Sequence, residues 1–114
     1  MTREEILRMP AGREMDALIA EKVMGHVVNK NAKLYTRWET EIGYSEGFTS
    51  LSRYSTDIRD AWEVVEKFPV FYFESCKELK EYFSMIGSDF ESSVTAETAP
   101  LSICRSALLY MEGQ

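Results

Sequence analysis

The 114-residue chain has one histidine, two cysteines and three prolines, and these shortages close off several kinds of chemistry. A Ser–His or Cys–His nucleophile pair would have to use His26, which has no partner motif and follows a helix stop. Such a residue reads as a partner for the helix dipole or a surface side chain. Neither Cys76 nor Cys104 belongs to a CxxC pair, and no ordered set of His, Asp or Glu accompanies them, so no metal is expected. No Gly-x-Gly-x-x-Gly or Walker sequence occurs, which leaves a P-loop nucleotide site unsupported. No cofactor is expected either. No stretch approaches the roughly 20 apolar residues of a membrane span. The opening residues Met1–Leu7 lack the apolar segment of a signal peptide, so a soluble, cytoplasmic protein is expected. Positive charge is also short: 13 Lys and Arg against 19 Asp and Glu give a net charge of −6. That balance argues against a nucleic-acid surface, which relies on Lys and Arg displacing counterions. The acidic residues are mixed with basic ones rather than blocked, so a DNA-mimicking decoy is not indicated either.

What is present suits one globular domain over residues 1–114. Its composition is 45% hydrophobic and 12% aromatic with 28% charged residues, ordinary usage for a chain that can bury a core without metals or disulfides. Thr2 and Glu5 have the spacing of a capping box ahead of Ile6 and Leu7, and the helix they open must stop before Met9-Pro10-Ala11-Gly12. A second helix is expected from Gly12 to Met24, burying Met15, Leu18, Ile19 and Val23, with Asp16 mostly off that face and Gly25 as the stop. Asn29–Asn31 reads as a turn. Residues 34–42 alternate with period two and read as a strand with one wet face; 43–47 read as a loop and 48–54 as a second short strand.

Ser55, Thr56 and Asp57 compete to cap the next helix, whose expected buried face is Ile58, Ala61, Trp62, Val65 and Phe68. Pro69 ends it. Val70–Phe73 is a continuous apolar run and reads as a buried strand. Residues 77–86 fit a helix or a strand. The strand is favoured, because Ile86–Phe90 looks like a hairpin turn leading to a strand at 91–96. Thr98 caps the last helix, Pro100 sits in its first turn, and Leu101, Cys104, Ala107, Leu108 and Met111 make one apolar stripe. Cys104 then packs as a small hydrophobe and no disulfide is expected. The order is helix, strand region, helix, three-strand meander, helix. The fold class is α+β, an antiparallel sheet layered with amphipathic helices.

Three segments carry a resemblance: Arg13–Asp16 with Ala20–Gly25, Tyr54–Asp57 with Ala61–Lys67, and Thr98–Pro100 with Ile103–Leu108. Together, and in this order, they make the chain resemble the phage ABA-sandwich domain family. The resemblance implies a helix–sheet–helix layered domain from a phage or prophage. It implies no activity and carries over no site residues.

The residues themselves offer one loose cluster of binding candidates: Tyr35, Arg37, Trp38, Tyr44, Phe48 and Arg53. Aromatics there can stack on a base or anchor a partner, and the arginines can hold a phosphate. The helix starts at Ser55 and Thr98 add free N–H groups for an anion. The carboxylate pairs Glu39/Glu41 and Asp57/Asp60 read as a solvated face and a cap. With no catalytic constellation, the expected function is a non-enzymatic protein-interaction module that binds a protein partner or itself as a homo-oligomer. A nucleotide-sequestering protein is the second reading.

Overall fold

The computed structural model describes residues 1–28, 37–39 and 49–113. Its elements run α1 (Arg3–Arg8), α2 (Arg13–Lys22), β1 (Val27–Val28), β2 (Arg37–Glu39), β3 (Thr49–Ser50), α3 (Ile58–Val65), β4 (Phe71–Cys76), β5 (Glu81–Ile86), β6 (Asp89–Ala96) and α4 (Ala99–Glu112). This is the expected α+β order, and residues 81–86 are strand. β4, β5 and β6 form an antiparallel meander, and β1, β2 and β3 form a second small antiparallel sheet.

Local signals set the helix ends as the sequence indicates. Thr2 and Glu5 complete the capping box of α1, and Thr98 Oγ1 accepts from the Leu101 N–H to cap α4. Past α2 the chain reverses through Gly25 at φ +74°, a left-handed conformation that suits glycine, and the His26 N–H returns to the Ala20 carbonyl at 2.8 Å. Asp57, not Ser55 or Thr56, caps α3: its Oδ1 accepts from the Arg59 N–H at 2.8 Å. Gly87, at φ +56°, makes the tight link from β5 to β6.

α4 is the central element. One side lies on β5 and β6, and α1, α2 and α3 pack on α4. This corrects two expectations. The helices around residues 18 and 62 do not cover the β4–β6 sheet broadly; they cover α4. And α4 does not have a single apolar stripe: Pro100 to Cys104 and Ser106 to Leu109 are all buried, because the helix is enclosed from both sides. Its sheet side is polar in part. Ser102 and Ser84 share a hydrogen bond at 2.6 Å, and the Ser106 hydroxyl donates to the Ser92 carbonyl at 2.8 Å. Ser92 also explains the irregular register of β6. Its hydroxyl accepts from the Ile86 N–H at 2.9 Å and donates to the Asp89 carbonyl at 2.7 Å, substituting for a ladder bond at the bulge.

Three further readings are corrected by packing. On α3 the buried side chains are Ala61 and Val64, with Val65 and, just past the helix, Phe68 partly covered, while Ile58 and Trp62 are 47% and 46% exposed. A helix packed on one neighbour buries a narrow stripe, and here the small Ala61 lies at its centre. Asp16, expected off the buried face, is 1% exposed. It accepts from the Ser55 N–H at 2.8 Å and from the Ser55 hydroxyl at 2.6 Å, and pairs with Arg13 at 3.0 Å. A buried acid needs such partners. Finally, β4 is not a buried strand but the edge of its sheet: Phe71 and Phe73 turn inward, and Tyr72 is 52% exposed.

Candidate protein-interaction surface

The register of the meander divides its side chains between two faces. Phe71, Phe73, Ser84, Ile86, Val94 and Ala96 share the parity that meets α4. The opposite parity carries Tyr72, opposite Met85, and Phe83, opposite Glu74 and Thr95. Same-parity neighbours on adjacent strands lie within side-chain contact range, so the exposed Tyr72 and the half-buried Met85 and Phe83 form one apolar patch. α4 is the one helix among the described elements that packs broadly on this sheet, and it lies on the other face. Phe90 stands 77% exposed where β6 bulges. A contiguous patch of this kind marks a contact surface more than scattered exposed leucines do. A second exposed apolar pair, Ile58 and Trp62, lies one turn apart on α3.

The edges of the meander differ. On the β6 side, the Arg3 guanidinium donates to the Glu91 carbonyl, and the bulge breaks the strand's regularity. β4 has no proline, lysine or bulge within its six residues. Edge strands commonly carry such features, which discourage further pairing.

The sequence-derived candidates fare unevenly. Tyr35, Tyr44 and Phe48 lie outside the described residues. Arg37 and Trp38 are placed as backbone positions of β2, Trp38 between Val28 and Thr49, and their side chains are outside the description. Arg53 is exposed, and its N–H donates to Asp60 Oδ2 at 2.7 Å. The helix starts expected to offer N–H groups are met by the chain's own side chains. The carboxylates of Asp57 and Asp60 already occupy the approach to α3, and Thr98 caps α4. The patch on the meander was not among the candidates. Its signal was present: in Tyr82-Phe83-Ser84-Met85-Ile86, apolar side chains fall on odd as well as even positions, which a strand with one wet face does not need.

Other concavities are less built. A cleft of about 500 Å³ is lined by Met24, His26, Ser52, Tyr54, Glu63, Glu66 and Lys67. Tyr54 is 1% exposed, and burial raises its phenol pKa, so it stays protonated. Two carboxylates for one ammonium is the wrong balance for a phosphate. Cys104 is buried and its thiol is pushed well up, first by desolvation and then by the nearby Asp16 charge; it is no nucleophile. Ser55 meets an acid, but at 0% exposure no substrate reaches it. Among the described residues no three His, Cys, Asp or Glu side chains group as metal ligands, and no helix is long and apolar enough to cross a membrane.

Comparison with known proteins fits this architecture. The model of the family described as "Phage ABA sandwich domain" matches residues 17–108. A crystal structure described as a phage protein from Bacillus cereus ATCC 14579 superposes with a TM-score of 0.70 at 27% identity, covering 89% of this chain and 91% of that one. No curated protein matches.

Proposed function

The chain belongs to the phage ABA sandwich domain family, and from that premise we propose that it is a non-enzymatic phage accessory protein that acts in the bacterial cytoplasm by binding another protein surface. The observation that carries this reading is the apolar patch of Tyr72, Phe83 and Met85 on the face of the meander opposite α4. Burying apolar area of this kind at roughly 25 cal/mol per Å² is the main source of affinity between proteins, and aromatic side chains serve as anchors. The net charge of −6 opposes nonspecific association, so a contact here depends on shape and on the patch itself.

Tyr72→Lys combined with Phe90→Lys alters exposed positions only and should leave the melting temperature unchanged. Affinity capture from infected or lysogenic cells, followed by cross-linking, should recover a protein with the natural chain and lose it with the double variant. Equal recovery by both chains, or no recovery by either, would overturn the reading. Nucleotide sequestration ranks second, since the one described cleft beside a Tyr and a Lys is lined with two glutamates. A thermal shift with nucleoside triphosphates would promote it.

A further inference from the structure

We propose that a second copy of the chain joins this one through the β4 edge, beside the patch, in an antiparallel pair with Phe73 opposite Phe73 of the other copy. The inference rests on the interaction reading above: the joint doubles the face which that reading assigns to another protein and leaves it open.

The hydrogen-bond alternation of the meander carries the argument. The Val70 carbonyl accepts from the Gly87 N–H at 3.0 Å, so Val70 directs its backbone groups toward β5. In an antiparallel ladder the residues of one strand alternate between facing the neighbour and facing away. With Val70 facing β5, so do Tyr72, Glu74 and Cys76. Phe71, Phe73 and Ser75 then turn their N–H and C=O groups to the free edge. Among the described residues no strand pairs with that edge.

Three two-fold registers can be compared. Centring on Phe73 sets Phe71 opposite Ser75 of the second copy and Phe73 opposite itself, so all three outward residues exchange both of their bonds. It also sets Tyr72 opposite Glu74 of the second copy. Centring on Tyr72 places Ser75 opposite Pro69, which has no N–H to give. Centring on Glu74 sets two carboxylates face to face, which is unfavourable on a sheet. Registers centred between residues would pair outward groups with inward ones. The Phe73-centred register is the one that pairs all three outward residues with residues of β4 itself; a centre on Phe71 or Ser75 sends Phe73 to Pro69 or Lys77, outside the strand. Each copy contributes a three-stranded sheet, so the pair makes one continuous six-stranded sheet. Both α4 helices lie on one side, and the two Tyr72 patches join on the other.

The test is sedimentation equilibrium of the full chain under reducing conditions, with amide exchange read at low and high concentration. A dimer is expected, with the amides of Phe71, Phe73 and Ser75 exchanging more slowly as concentration rises. Tyr72→Glu sets two Glu–Glu pairs across the joint and should weaken the dimer about tenfold. Adding Glu74→Lys converts them to Glu–Lys pairs and should restore it; a Tyr72-centred joint would not be restored. A monomer at about 1 mM, or a dimer whose three edge amides are unprotected and which ignores the charge swap, overturns the β4 joint. In either case the interaction reading is still judged separately, by the capture experiment with the Tyr72→Lys/Phe90→Lys chain.

Discussion

Ser55 donates its hydroxyl proton to Asp16 Oδ1 at 2.6 Å, and both side chains are sealed from solvent. The same hydroxyl accepts from the Gly12 N–H at 2.9 Å, and Arg13 reaches from Asp16 to the Leu51 carbonyl at 2.7 Å. The start of α2 is thereby tied to the segment that leads into α3. Asp16→Ala leaves two Ser55 donors without their charged acceptor and should cost about 2–4 kcal/mol; Ser55→Ala should cost about 1–3. In urea unfolding the double variant should cost less than the sum by about 1–2 kcal/mol, the coupling of groups in one network. Simple additivity would show that the two act independently.

Trp62 offers a contrast between pattern and packing. A fully buried Trp replaced by Ala costs about 3–5 kcal/mol. With the side chain 46% exposed, Trp62→Ala should cost less than about 2 kcal/mol. Ala61→Leu, at the closed centre of the α3–α4 contact, should destabilise by about 1–3 kcal/mol through overpacking. In a Trp38→Phe background, acrylamide should quench Trp62 fluorescence readily. The reverse order of the two costs would mean the buried stripe lies elsewhere.

The Ser84–Ser102 pair tests what polar groups do between a sheet and its helix. Ser84→Ala or Ser102→Ala alone strands one buried hydroxyl and should cost about 1–3 kcal/mol. Replacing both removes donor and acceptor together, so the double variant should lie near the better single one or above it. Thermal unfolding of the four chains measures this directly.

Stability should also fall on the alkaline side. Burial raises the Cys104 thiol pKa in the folded chain, while the unfolded thiol ionises near its ordinary value of about 8.5. The unfolded state therefore loses its proton first. The stabilisation is complete below about pH 8.5 and declines as pH rises from there toward the folded value. Tyr54 adds a similar decline above about pH 10. Cys104→Ala should lower stability at neutral pH through the lost volume, yet flatten its pH dependence between about 8.5 and 10. An unchanged slope in that window would exclude the thiol as its source.

Much of the fold was legible because its signals are local. The Thr2–Glu5 box, the Thr98 cap, Pro100 in a first turn, Gly25 in a reversal and the Gly87 hairpin each act within a few residues of where they are written, while Ser55, Thr56 and Asp57 competed for one cap until the structure gave it to Asp57. The candidate surface was less legible. Phe83 and Met85 share one face of β5, but Tyr72 joins them only through the pairing of β4 with β5, and a run such as Val70–Phe73 looks the same on an edge as in the middle of a sheet.

The sequence by itself determined where the helices begin and end, since caps, prolines, glycines and apolar period are properties of the chain over short distances; residues 77–86 fitted a helix or a strand, and pairing made 81–86 a strand. Tertiary structure alone decided that α4 lies between the sheet and the other helices, that Trp62 faces out while Asp16 is enclosed, and that β4 has no strand on its outer side among the described residues. Those outcomes depend on which surfaces meet, and burial is settled by the neighbour that arrives rather than by the residue that waits for it.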